Sequence, residues 1–133
     1  MQSPQQLMDR WWAALASRDL DGVLDAFGAD CHFVLPGMKF HGAEQMKPYV
    51  ENYLRALPDF ATEILESVAS EEAIAFELRS TGTQTAPLAT PDGEVPATGA
   101  RVTFESCLYV KAKQGKITSF HTYFDHPEWV GPS

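Results

Sequence analysis

Glu105, Cys107, His121 and Asp125 are residues in the last third of the chain whose types could move a proton. A carboxyl or an imidazole becomes a useful general acid or base when its surroundings bring its pKa toward neutrality. Glu105 stands two positions before Cys107, so a regular strand puts both side chains on one face. If that face borders an apolar cavity, burial raises the carboxyl pKa and poises it for acid–base work. If it is the outer face, Glu105 lies at a wet dimer surface. Alternation groups His121, Tyr123 and Asp125 on one face of the last strand, and Phe120, Thr122 and Phe124 on the other. Both sets approach one cavity only if a bulge changes the phase near Asp125. Asp125 also has a plainer use, as the cap of a short turn over Pro127 to Val130.

The other reactive types carry less. His32 lies on a short strand, His41 precedes Gly42 at a loop-to-helix junction, and His126 follows Asp125. None of the histidines has the spacing of a helical metal site, so no metal is expected. The sequence holds neither a glycine-rich phosphate loop nor a nucleophile elbow. Cys31 and Cys107 read as small buried hydrophobes rather than nucleophiles.

These side chains need a scaffold, and its size is bounded. The chain has 133 residues, 44% hydrophobic and 21% charged, which suits one globular domain over 1–133. Its net charge of −8 opposes nucleic acid and anionic membranes as partners. No apolar run is long enough to span a membrane, and MQSPQQLMDR lacks the basic-then-apolar order of a secretory signal. Two cysteines without framework spacing fit a reducing cytoplasm.

Ser3-Pro4 predicts a helix start, followed by Met8, Trp11, Trp12 and Leu15 at helical spacing. Asp19 caps a second short helix reaching Phe27. Cys31 to Leu35 reads as a strand closed by Pro36-Gly37. Ala43 to Leu57 reads as a third helix with a wide apolar stripe, stopped by Pro58-Asp59. Strands are then expected over Phe60 to Ala69, Ala73 to Thr83, Arg101 to Lys113 and Lys116 to Asp125. Thr85 to Gly99, rich in Pro and Gly, is a long irregular connection or a pair of edge strands. Helices followed by strands predict an α+β fold: three N-terminal helices on a strongly curved, mixed but mostly antiparallel sheet.

Several stretches, in order, resemble one family. They are Arg10 to Gly22, Gly42-Ala43-Glu44, Val68 to Phe76, Pro96-Ala97-Thr98-Gly99 and Gly115-Lys116-Ile117. Together they look like SnoaL-like polyketide cyclases and ketosteroid isomerases, of the superfamily named after nuclear transport factor two. Pro96 to Gly99 resembles the cyclase branch in particular. The resemblance implies a cone-shaped domain with an apolar interior pocket, and a homodimer. It places Trp11, Leu35 and Cys107 where ketosteroid isomerases carry a Tyr, an Asp base and a protonated Asp. None of the three can do that work, so steroid isomerisation by the usual residues is excluded.

The resemblance further implies a lining for the pocket. Trp11 and Leu35 join Tyr49 and Tyr53 from the helical side. Phe76, Leu78, Cys107, Tyr109, Phe120 and Phe124 come from the sheet. A broad aromatic cavity suits a small apolar molecule, and an open volume of ~300 Å³ or more would be usual for such a site. Cyclases of this type are held to use an Asp near the position of Asp125. The leading expectation is therefore a cofactor-free acid–base enzyme, cyclising or isomerising an apolar substrate through Asp125 with His121 or Glu105. The competing expectations are a non-catalytic binding module for an apolar metabolite and a structural dimerisation domain.

Overall fold

The computed structural model of the chain describes residues 3–90 and 93–124. Helix α1 (Pro4–Ala16) starts as its sequence demands. The Ser3 hydroxyl accepts the Gln6 N–H at 3.2 Å, and the Gln6 side chain accepts the Ser3 N–H at 3.0 Å. This cap sets the phase that buries Leu7, Met8 and Trp11 on one stripe. Asp19 caps α2 (Leu20–Asp25) by accepting the Gly22 N–H at 3.1 Å. That helix ends before Phe27, which opens a strand instead.

Strand β1 (Phe27–Leu35) begins four residues earlier than expected and continues into a hairpin with β2 (Met38–His41). Its early residues Gly28, Ala29 and Asp30 have weak strand propensity. They lie in the register shift between Phe27, paired with Ile117 of the last strand, and His32, paired with Ser119. Pro36-Gly37 is the hairpin turn rather than a terminator: Gly37 has φ of +76° after a proline, as a type II turn requires. Gly42 then adopts φ +86°, ψ 152° before α3 (Ala43–Ala56), a region open only to glycine. A Cβ there would lie 2.9 Å from the Ala29 carbonyl oxygen.

The remaining strands are β3 (Ala61–Ala69), β4 (Ala73–Thr83), β7 (Arg101–Lys113) and β8 (Lys116–Phe124). Between β4 and β7, the Pro- and Gly-rich connection holds β5 (Leu88–Thr90) and β6 (Gly93–Val95), which pair only with each other. Gln84 ties this excursion down: its side-chain amide donates to the carbonyls of Val95 and Pro96 and accepts from Thr98. The main sheet is open and runs β2-β1-β8-β7-β4-β3. The β1–β8 pairing is parallel and the others are antiparallel. The predicted α+β architecture of three helices on a mixed sheet is the one observed.

Strand periodicity decides which side chains meet the helices. On β4 the inward set is Ile74, Phe76, Leu78, Ser80 and Gly82; on β7 it is Val102, Phe104, Ser106, Leu108 and Val110. Their alternates face solvent. Trp11 anchors the core, with ring centroids 5.4 Å from Phe120 and 6.3 Å from Phe27. Each such large side chain removed from water contributes about 1.5–3 kcal/mol. Among the described residues, no helix is long and apolar enough to cross a membrane.

Candidate functional site

Two inward positions in the middle of the sheet carry serine on strands whose other inward residues are mostly large and apolar. Ser80 sits between Leu78 and Gly82, and Ser106 between Phe104 and Leu108. Small side chains at those points leave room beneath the helices. The result is a cavity of about 110 Å³, partly open to solvent. Trp11, Trp12, Leu15, Val23, Met46 and Val50 close its helical side, with Leu35 from β1. Tyr49, Tyr53 and Leu54 continue the wall along α3 toward Phe60. The volume is well below the ~300 Å³ usual for drug-sized ligands. It is closer to the ~150 Å³ that holds a benzene molecule.

The sheet side of the cavity is marked by hydroxyls. Thr62 on β3 and Ser80 on β4 are register partners, with their oxygens 3.1 Å apart. Ser106 on β7 lies two residues beyond Ser80's partner Phe104, and Thr122 on β8 two residues before Ser106's partner Phe124. The four therefore step diagonally across four adjacent strands, and all four line the cavity. Alternation keeps them among Leu78, Phe104, Leu108, Phe120 and Phe124.

No Asp, Glu, His, Lys or Arg is among the described residues of the lining. Its titratable groups are Tyr49 and Tyr53, whose ring centroids lie 5.5 Å apart. Burial drives both phenol pKa values up, and Tyr49 raises that of Tyr53 further, so both are neutral hydrogen-bonding groups at ordinary pH. The lining is aromatic and aliphatic, and its polar groups are neutral.

The sequence-predicted residues divide between the two faces of the sheet. Trp11, Leu35, Tyr49, Tyr53, Leu78, Phe120 and Phe124 line the cavity. Phe76 is buried but outside the lining; its ring packs edge-on against Trp12 at 5.4 Å, behind the wall. Cys107 and Tyr109 are on the outer face of β7, contrary to the expected lining. The reason is phase. The alternation of Val102, Phe104, Ser106, Leu108 and Val110 is continuous, and its burial against the helices turns the odd-numbered residues out.

Glu105 shares Cys107's face, as the spacing required, but that face is the outer one. Its carboxylate lies 3.2 Å from the Arg79 guanidinium, which also reaches Glu63 at 3.7 Å. His121 is on the outer face too, half-buried beside Tyr109 and 3.5 Å from the Tyr123 hydroxyl. Burial, Lys111 and His32 lower its pKa, in that order. The expected grouping of Phe120, Thr122 and Phe124 against His121 and Tyr123 is the one observed. Asp125 and His126 lie outside the described residues.

Cys31 is buried, and burial pushes its thiol pKa up to about 12, so it is not a thiolate nucleophile. Cys107 is exposed rather than buried. His32 and His41 pack edge-on at 4.8 Å on β1 and β2, with His41 3.5 Å from Asp30. No group of three or more His, Cys, Asp or Glu suited to a metal occurs among the described residues.

The lining residues that sequence reasoning missed are chiefly the hydroxyls, Trp12 and Phe104. A signal existed for the serines: a small polar residue at an inward position of a strongly alternating strand is a gap in the core.

Solved structures share this architecture. AclR of Streptomyces galilaeus, a proposed hydroxylase, is 21% identical with a TM-score of 0.80, covering 95% of this chain and 91% of its own. A proposed polyketide cyclase of Pseudomonas putida is 20% identical with a TM-score of 0.77, covering 98% and 97%. A nuclear transport factor two-like protein of Burkholderia thailandensis is 15% identical with a TM-score of 0.76, covering 94% and 92%. Identities this low establish the fold and not the activity. The sequence has no match among curated proteins. Residues 8–120, most of the chain and the part that builds the cavity wall up to Phe120, match the model of the SnoaL-like domain, and the protein belongs to that family.

Proposed function

We propose that the chain binds a small apolar molecule in the cavity between its helices and its sheet. One observation carries the reading: an aromatic, partly open hollow with a diagonal of hydroxyls on its floor. Apolar walls with a few placed neutral polar groups are the usual make-up of a small-molecule site. A purely structural domain would gain more by filling the positions of Ser80 and Ser106 with apolar side chains, since buried hydroxyls contribute little to packing.

Catalysis in this cavity would be cofactor-free proton transfer, serving a cyclisation or an isomerisation. Glu105 and His121 are on the opposite side of the sheet, so the proposed proton carrier is Asp125, the residue after the lining residue Phe124, brought to the cavity by the change of strand phase that its alternation with His121 and Tyr123 requires. Tyr49 and Tyr53 would donate to a developing enolate. Toluene binding tests the pocket: saturable changes in tryptophan fluorescence are expected, and no change in folded protein would overturn the reading. Exchange of the methyl protons of acetophenone into heavy water tests the chemistry. Acceleration that is lost in Asp125→Asn and kept in Glu105→Gln supports it, whereas equal exchange with and without protein sinks it.

The outer face of the sheet leaves Tyr109 37% and Tyr123 54% exposed on adjacent strands. An uncovered sheet face bearing aromatics suits a second copy of the chain, so a homodimer through this face is part of the proposal. Sedimentation equilibrium of the wild type and Tyr123→Lys checks it: a dimer converted to monomer supports it, and a wild-type monomer overturns it.

A further inference from the structure

Trp11 and Trp12 both line the cavity, and neither indole nitrogen has an acceptor among the described residues. Both nitrogens are fully buried, and Trp11 is 6% exposed as a residue. The rings touch edge to face, with centroids 4.8 Å apart and planes at 76°. An indole offers one donor and nothing else, and a buried donor without an acceptor is costly. Elsewhere in the described interior, buried polar side chains find partners, such as Gln84 and Ser80. Two neighbouring exceptions in one cavity wall leave two donors for an acceptor that a ligand would bring.

The chemistry of that acceptor is constrained. With no cationic side chain among the described lining residues, a carboxylate would enter uncompensated, which is prohibitive in an apolar hollow. A neutral carbonyl fits, since one oxygen has two lone pairs and can accept both N–H hydrogen bonds. The volume fixes the size: about 110 Å³ takes one ring, not a fused polycycle. Resting on the proposal that the cavity binds an apolar molecule, we infer that its ligands are neutral, single-ring carbonyl compounds. Their oxygen is held by the indole N–H groups of Trp11 and Trp12 once the rings turn those edges, shielded in the observed packing, into the hollow.

Benzaldehyde and styrene test this, because they differ by C=O against C=CH₂ at nearly equal shape. The wild-type protein should bind benzaldehyde at least as tightly as styrene, despite the aldehyde's greater solubility in water. The indole N–H resonances of Trp11 and Trp12 should move downfield with benzaldehyde only, and benzoate should not bind. In the double variant Trp11→Phe, Trp12→Phe the affinity ratio of benzaldehyde to styrene should fall about tenfold. That is the size expected from losing one or two hydrogen bonds. Indole signals that respond alike to both compounds in the wild type would overturn the inference while leaving the pocket standing. Failure of both compounds to bind would overturn the pocket as well.

Discussion

Thr62 and Ser80 face each other across β3 and β4 with their hydroxyl oxygens 3.1 Å apart, on the floor of the cavity. Ser80 is 3% exposed, so its small size is a structural choice at a core position. Replacing it by valine adds methyl groups that project into the hollow. At about 0.8 kcal/mol per buried carbon, Ser80→Val should raise unfolding free energy by about 1 kcal/mol. The half-buried Thr62 hydroxyl can turn to water. The same change should weaken toluene binding at least tenfold. Urea denaturation and a fluorescence titration check both. A loss of more than about 2 kcal/mol would mean that the valine is overpacked and that the space is not there.

The architecture was legible because its strongest signals are periodic. Strands β4 and β7 carry large apolar residues at alternate positions, broken at Ser80, Gly82 and Ser106, and Ser3-Pro4 marks the start of α1 by cap chemistry. Where tertiary pairing overrides propensity, the sequence was silent. Gly28, Ala29 and Asp30 continue a strand that β8 pins at Phe27 and again from His32, and Met38–His41 pairs only because Pro36-Gly37 turns the chain back. The site was half legible. The aromatics of α1, α3 and β8 were found, but Cys107 and Tyr109 were placed on the wrong face. One residue of phase inverts a strand, and only burial against the helices fixes which set points in. The two serines leave a trace as small residues in the alternation, but their alignment with Thr62 and Thr122 does not, since it is assembled from four strands whose registers no local pattern states.

Asp59 ties the exit of α3 to the end of β4. Its carboxylate accepts the Thr83 N–H at 2.6 Å and the Thr83 hydroxyl at 2.8 Å. These two bonds from Thr83, the backbone one first, hold its pKa below the ordinary 3.8. A depressed carboxylate pKa contributes stability at pH above the unfolded value and loses it as pH falls through the folded one. Asp59→Ala should therefore lower the Tm at pH 7. The gap to wild type should close as pH drops below 3.8 toward the folded pKa. Calorimetry over that range checks it, and a gap independent of pH would show that the carboxylate charge plays no part.

His121 titrates on the outer face, facing Lys111 and His32 and beside Tyr109 and Tyr123. Its pKa is lowered from 6.5, first by burial and then by those two groups. The folded state thus favours the neutral ring. Above pH 6.5 the ring is neutral in both states and contributes no pH dependence. As pH falls through 6.5 the unfolded chain takes up the proton first, so stability drops until the folded pKa is passed, and is level below it. His121→Gln should flatten this part of the curve, so that the variant gains on wild type between pH 7.5 and pH 5. Lys111→Met should move the His121 ring resonances to a higher titration midpoint, because a repelling charge has been removed. Unfolding curves and NMR titration read the two effects separately. Parallel stability curves for wild type and His121→Gln would refute the assignment of this pH dependence to His121.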